Sequence, residues 1–174
     1  MRPLLVAVVP VLLLAACMPG SGAPGGSAAV VWADVPTSAP SPQLQGNVCL
    51  NGAAAEGGDF RTPVTVDADP TGVVAVRLPT LNTTPCAAHI LHGDAATAVA
   101  LAHDVRAGET IAAGATYSCP AGDDPVTLYF TYAGHTQAQQ VDYDVNGCAG
   151  WVSAPGRSAR FVPLTWASDL AALH

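Results

Sequence analysis

Lysine is absent from all 174 residues, so six arginines make up the whole basic complement against thirteen carboxylates, a net charge of -7. Phosphate binding needs clustered cations, and the arginines here are scattered, which argues against nucleic acid as a partner. Charged residues make up 11% and aromatic residues 6%, so a core must come from Val, Leu, Ala and Ile. Several catalytic signatures are also missing. Ser-x-x-Lys is impossible without lysine, and neither Gly-x-Ser-x-Gly nor His-Glu-x-x-His occurs. Acidic neighbours such as Asp123 and Asp124, or Asp142 and Asp144, do not by themselves define an acid and base pair, because adjacency says nothing of the distance across a cleft. The expected protein is therefore not an enzyme, and no cofactor is expected. The apolar run from Pro3 to Leu14 is too short to span a bilayer as a helix.

That short run does have a reading. Arg2 supplies a positive charge, the apolar stretch follows, and Leu14-Ala15-Ala16-Cys17 closes it. The tetrapeptide resembles a bacterial lipobox. The resemblance implies a signal peptide over 1–16, diacylglycerol on the Cys17 thiol, cleavage before it, and usually a further acyl chain on the new N-terminus. With each buried methylene contributing ~0.8 kcal/mol, two or more chains give stable attachment. The expected location is the extracytoplasmic face of the cell membrane.

Five cysteines leave an even remainder once Cys17 carries lipid: Cys49, Cys86, Cys119 and Cys148. In an exported chain these read as two disulfides, with three connectivities open. Cys49 with Cys86 and Cys119 with Cys148 is the favoured arrangement, because the second pair brackets one apparent hairpin. Each closed loop contributes roughly 3 kcal/mol in the chain-entropy account.

Residues 17–46 are rich in Pro, Gly, Ser and Ala and read as the lipidated cysteine and a flexible linker. A coil of about 29 residues holds a domain on the order of 30 Å from the lipid. Val30-Val31-Trp32 interrupts it, and docking on the domain is expected, with a place at the membrane interface as the alternative. Residues 47–174 read as a single domain.

Within that domain Val64 and Val66 alternate before Asp69-Pro70-Thr71-Gly72, and Val74, Val76 and Leu78 alternate after it, which predicts a hairpin. Thr84-Pro85 opens a predicted short helix with Cys86, His89, Ile90 and His92, closed by Gly93. Asp94 caps a second helix with Ala98, Leu101, Ala102 and Val105 on one face and Gly108 at its end. The strongest strand signal is Val126, Leu128, Phe130 and Tyr132, then a turn at Ala133-Gly134-His135-Thr136, then Val141, Tyr143 and Val145. Trp166, Leu170 and Leu173 predict a terminal amphipathic helix. The expected fold is α+β, a twisted antiparallel sheet with helices on one face and two disulfides.

Two metal-like patterns fail on spacing. Cys86-x-x-His89-x-x-His92, with His103 beyond, cannot converge on one helix, since positions i to i+6 span more than a turn. Asp142-x-Asp144-x-Asn146-Gly147 imitates the start of a calcium loop, but its twelfth position is Ser153 where a bidentate Glu is needed. The alternating carboxylates read instead as the wet face of a strand.

The dominance of Ala, Gly, Pro and Val reads as codon pressure from a GC-rich genome. The stretch from Leu101 to Arg157 resembles a group of uncharacterised actinobacterial lipoproteins and secreted proteins. The resemblance rests on an Ala-rich helix, Tyr117-Ser118-Cys119-Pro120, Leu128-Tyr129-Phe130-Thr131-Tyr132-Ala133-Gly134 and Asn146-Gly147-Cys148. It implies a Cys119–Cys148 disulfide and an envelope location. Cys119-Pro120-Ala121-Gly122-Asp123-Asp124-Pro125-Val126 is similar to the reactive-site segment of the subtilisin-inhibitor family. That similarity implies a scissile bond between Ala121 and Gly122 and a protease as partner, held by a preorganised loop. The leading expectation is a non-enzymatic, lipid-anchored module that binds an envelope protein or a small molecule; inhibition of a subtilisin-type protease is the alternative.

Overall fold

The computed structural model of the chain describes residues 28–45, 48–50, 62–79, 86–111, 125–144, 150–155, 157–162 and 166–174. In chain order the elements are β1 (Trp32–Ala33), β2 (Gln43–Gln45), β3 (Val48–Leu50), β4 (Gly72–Arg77), β5 (His89–Gly93) and α1 (Ala95–Ala107). They continue with β6 (Glu109–Thr110), β7 (Pro125–Thr131), β8 (Ala138–Asp144), β9 (Trp151–Ala154), β10 (Arg157–Phe161) and α2 (Trp166–Leu170). The architecture is a mostly antiparallel sheet with a few helices. β2 and β3 form a separate two-stranded ladder. The main sheet runs β5-β4-β7-β8-β9-β10-β6, and β1 pairs with β8 as well.

Alternation in β7 and β8 builds the centre of this sheet. Leu128 faces Val141 and Val126 faces Tyr143 across the predicted hairpin, whose turn is eased by Gly134 at φ 79°. Their apolar face joins Val73 and Ala75 of β4 with Ala98, Leu101, Ala102 and Val105 of α1 in one core. The helix starts as the sequence predicts: the Asp94 side chain accepts from the Thr97 N–H at 2.8 Å. That bond holds the Asp94 carboxyl below the usual carboxylate range. At the other end Arg160 donates to the carbonyls of Gly108 (2.9 Å) and Arg106 (3.4 Å), satisfying acceptors the helix leaves open. Leu170 and Leu173 pack on the same core, so the described helices share one side of the sheet.

Three expectations are corrected. Residues 86–92 form no helix: 89–93 are β5, paired with β4 from Val73↔Gly93 to Arg77↔His89. β4 presents an open edge there, and the tertiary pairing overrides a propensity that a Pro and a Gly merely bracketed. Residues 63–78 form no hairpin either. β4 pairs with β5 and β7, while Val64 bridges Ala29 in parallel and lies wholly buried beside Val66. Both valines cover the core rather than extend the ladder. Finally, the linker read over 17–46 contains β1, with Trp32 opposite Gln139 and Ala33 opposite Ala138. The docked reading of Val30-Val31-Trp32 is the one observed, with Val31 packed against the core.

Candidate functional site

Two regions of the sheet gather polar and aromatic side chains, and they differ in how fully those groups are used. The first lies at the β7–β8 turn. His135 stacks on Trp32 with ring centroids 4.7 Å apart and planes 17° apart, and Tyr132 stands edge-on to Trp32 at 6.0 Å. The Tyr132 hydroxyl donates to the Asp67 carbonyl at 2.9 Å. Gln139, fully buried, accepts from the Asp67 N–H at 2.6 Å and donates to the Asp67 carboxylate. Burial, helped by the Asp67 charge, pushes the Tyr132 hydroxyl well above the usual tyrosine range. Gln137 donates to Asp34 at 3.2 Å. These contacts are spent on one another, so the cluster works as a fastening that holds the β1 segment against β8.

The second region is the sheet face turned away from α1. Antiparallel register sets a row of side chains across five strands: Ile90, Val76, Thr127, Asp142 and Ser153. Beside it runs a second row of His92, Val74, Tyr129 and Gln140. At strand spacing the first row is about 19 Å long. Val76 is only 5% exposed, and Thr127, Tyr129, Gln140, Asp142 and Ser153 are half-buried. The Asp142 carboxylate accepts from Thr127 Oγ1 at 2.8 Å and from Gln140 Nε2 at 3.3 Å, both on its Oδ1 oxygen. Among the described residues nothing donates to Oδ2, and no cation pairs with Asp142. The Tyr129 hydroxyl and Ser153 Oγ likewise have no hydrogen-bond partner there. Burial raises the Asp142 carboxyl above its ordinary value, against the pull of its two donors. Tyr129 is raised too, first by burial and then by the Asp142 charge.

The sequence pattern reads the β8 part of this face as a wet strand surface. Alternation placed its residues correctly, but burial across five strands depends on long-range register that one strand's pattern does not carry. Other sequence-predicted positions fall elsewhere. Cys17, Cys119, Cys148, Ala121 and Gly122 lie outside the described residues. So does the side chain of Cys49, whose backbone is in β3. Cys86 is disulfide-bonded to a cysteine whose side chain lies outside them. His89 and His92 are exposed and, three apart on a strand, point to opposite faces. His103 is exposed on α1. Among the described residues no group of His, Cys, Asp and Glu could hold a metal, and no helix is long and apolar enough to cross a membrane. No family model, no curated protein and no solved structure matches the chain.

Proposed function

We propose that the protein is a lipid-anchored, extracytoplasmic binding module without catalytic activity, held to the cell membrane through Cys17 and stiffened by Cys49–Cys86 and Cys119–Cys148 disulfides. Its ligand lies on the face of the sheet turned away from α1. The observation that carries this reading is the set of polar atoms there with no partner among the described residues, Tyr129 hydroxyl, Asp142 Oδ2 and Ser153 Oγ, on half-buried side chains that share the face with Val74. A polar atom withdrawn from water without a partner costs roughly 1–3 kcal/mol, and a ligand that supplies the partner recovers it. A few convergent polar groups within apolar margins are the usual makeup of a small-ligand site.

Two experiments test the two halves of the reading. Fractionation of cells expressing the wild type and Cys17→Ala should find the first with membranes and the second released; membrane-bound Cys17→Ala contradicts the anchor. Amide chemical-shift mapping of the chain against soluble envelope extract should move resonances in 74–76, 127–129, 140–142 and 153. Shifts confined to other residues contradict the proposed face.

A second reading, inhibition of a subtilisin-type protease, is supported by the Cys119-to-Val126 segment, which runs directly into β7 at Pro125. Stoichiometric loss of subtilisin activity supports it, with cleavage between Ala121 and Gly122 after long incubation. Undiminished activity at micromolar protein rules it out.

A further inference from the structure

The face turned away from α1 carries a more specific message than that something binds there. Asp142 has a carboxylate with one oxygen doubly occupied, by Thr127 and Gln140, and the other unoccupied among the described residues. Both donors are neutral. A half-buried carboxylate with neutral donors keeps its full charge uncompensated, a costly arrangement unless something brings a cation. The surroundings narrow the choice. Val76 and Thr127 lie in line with Asp142 in the same cross-strand row, and Tyr129 sits diagonally across from it, paired with Gln140. A tyrosine ring adds attraction for a cation held within about 6 Å of its face. Val74, half-buried, offers aliphatic surface on the side away from β9. The chain's net charge of -7 favours approach of a cationic ligand.

Building on the proposed binding face, we infer that Asp142 Oδ2 is the recognition point for the ammonium group of an organic amine, with Tyr129 and Ser153 beside it and the ligand's carbon chain directed toward Val74. A bare metal ion fits less well, since the described residues add no second carboxylate or histidine within a ligating group. A neutral sugar or alcohol would satisfy Oδ2 as a donor but leave the charge unpaired. The ammonium both donates and neutralises.

The test is an amide chemical-shift titration of the full chain carrying Cys17→Ala, which keeps every residue of the folded body, with butylammonium chloride and with butanol. Butylammonium should shift the amides of Thr127, Tyr129, Gln140, Asp142 and Ser153 with a saturable, millimolar response, and butanol should shift them at least tenfold less at equal concentration. Asp142→Asn should keep the backbone spectrum of the parent and lose the butylammonium response by at least tenfold. Tyr129→Leu should weaken it severalfold. Equal shifts from butanol and butylammonium overturn the ammonium assignment while leaving the face as a binding surface. No response on this face to butylammonium, to butanol or to envelope extract overturns both. An undiminished response in Asp142→Asn overturns the role of Asp142.

Discussion

Two aspartates show how the same side chain serves opposite ends. Asp94 is exposed and caps α1, and its hydrogen bond to the Thr97 N–H favours the ionised form in the folded state. Its contribution to stability is present above the unfolded carboxyl pKa and is lost as pH falls through the lower folded value. Asp142 has the reverse sign. Burial raises its folded pKa, so its contribution is full below the unfolded value and is lost as pH rises through the folded one. Thermal melts should therefore show Asp94→Ala less stable than wild type at neutral pH, with the gap closing in strong acid. Asp142→Asn should be more stable than wild type at neutral pH, with its advantage disappearing below about pH 4. A gain in stability on removing a charge, paired with loss of ligand response, is what a functional residue at a strained site produces. Gly93 makes a third residue-scale test. A Cβ there would lie 2.7 Å from a Val73 methyl and 2.8 Å from a Leu173 methyl, in the seam where α2's trailing turn meets β4. Gly93→Ala should cost about 1–3 kcal/mol by overpacking, read as a lower denaturant midpoint at unchanged slope.

At the scale of elements, legibility followed locality. The β7–β8 hairpin and α1 were readable because each has its own signal: alternation around a turn for one, an Asp cap and a four-residue apolar face for the other. β5 was not readable. His89-Ile90-Leu91-His92-Gly93 has one apolar pair and no alternation, and its strand character comes from the free edge of β4 and from a two-way backbone pairing of His92 with His174. The turn at Asp69-Pro70-Thr71-Gly72 was visible, but the turn residues say only that the chain bends; the burial of Val64 and Val66 decides that it does not reverse in plane. The β1 segment, hidden in a Pro- and Gly-rich stretch, shows how a single aromatic residue can override composition. Trp32 is held by His135 and Tyr132, and the Val31 carbonyl accepts from the Gln140 N–H at 2.8 Å. Trp32→Ala should remove this fastening at a cost of about 2 kcal/mol. Hydrogen exchange at the Gln140 amide should then speed up roughly tenfold or more, while the Leu128 and Val141 amides keep their protection. Equal loss of protection throughout β7 and β8 would mean that β1 is part of the cooperative core instead.

The whole molecule combines a lysine-free, acidic chain with a sheet clothed by helices on one side and lined with half-buried polar groups on the other. The sheet-plus-helix class was legible from composition and periodicity. The second face was not, since it exists only when residues from β5, β4, β7, β8 and β9, spread along the chain from Val74 to Ser153, are brought into register. The proposed binding face is displayed, on this reading, from a lipid attached at Cys17. That attachment is tested most directly by the intact mass of the N-terminal peptide of protein taken from the membrane fraction. The predicted result is a peptide that begins at Cys17 and carries diacylglycerol with at most one further acyl chain; an unmodified Cys17 within a chain that still begins at Met1 would contradict it.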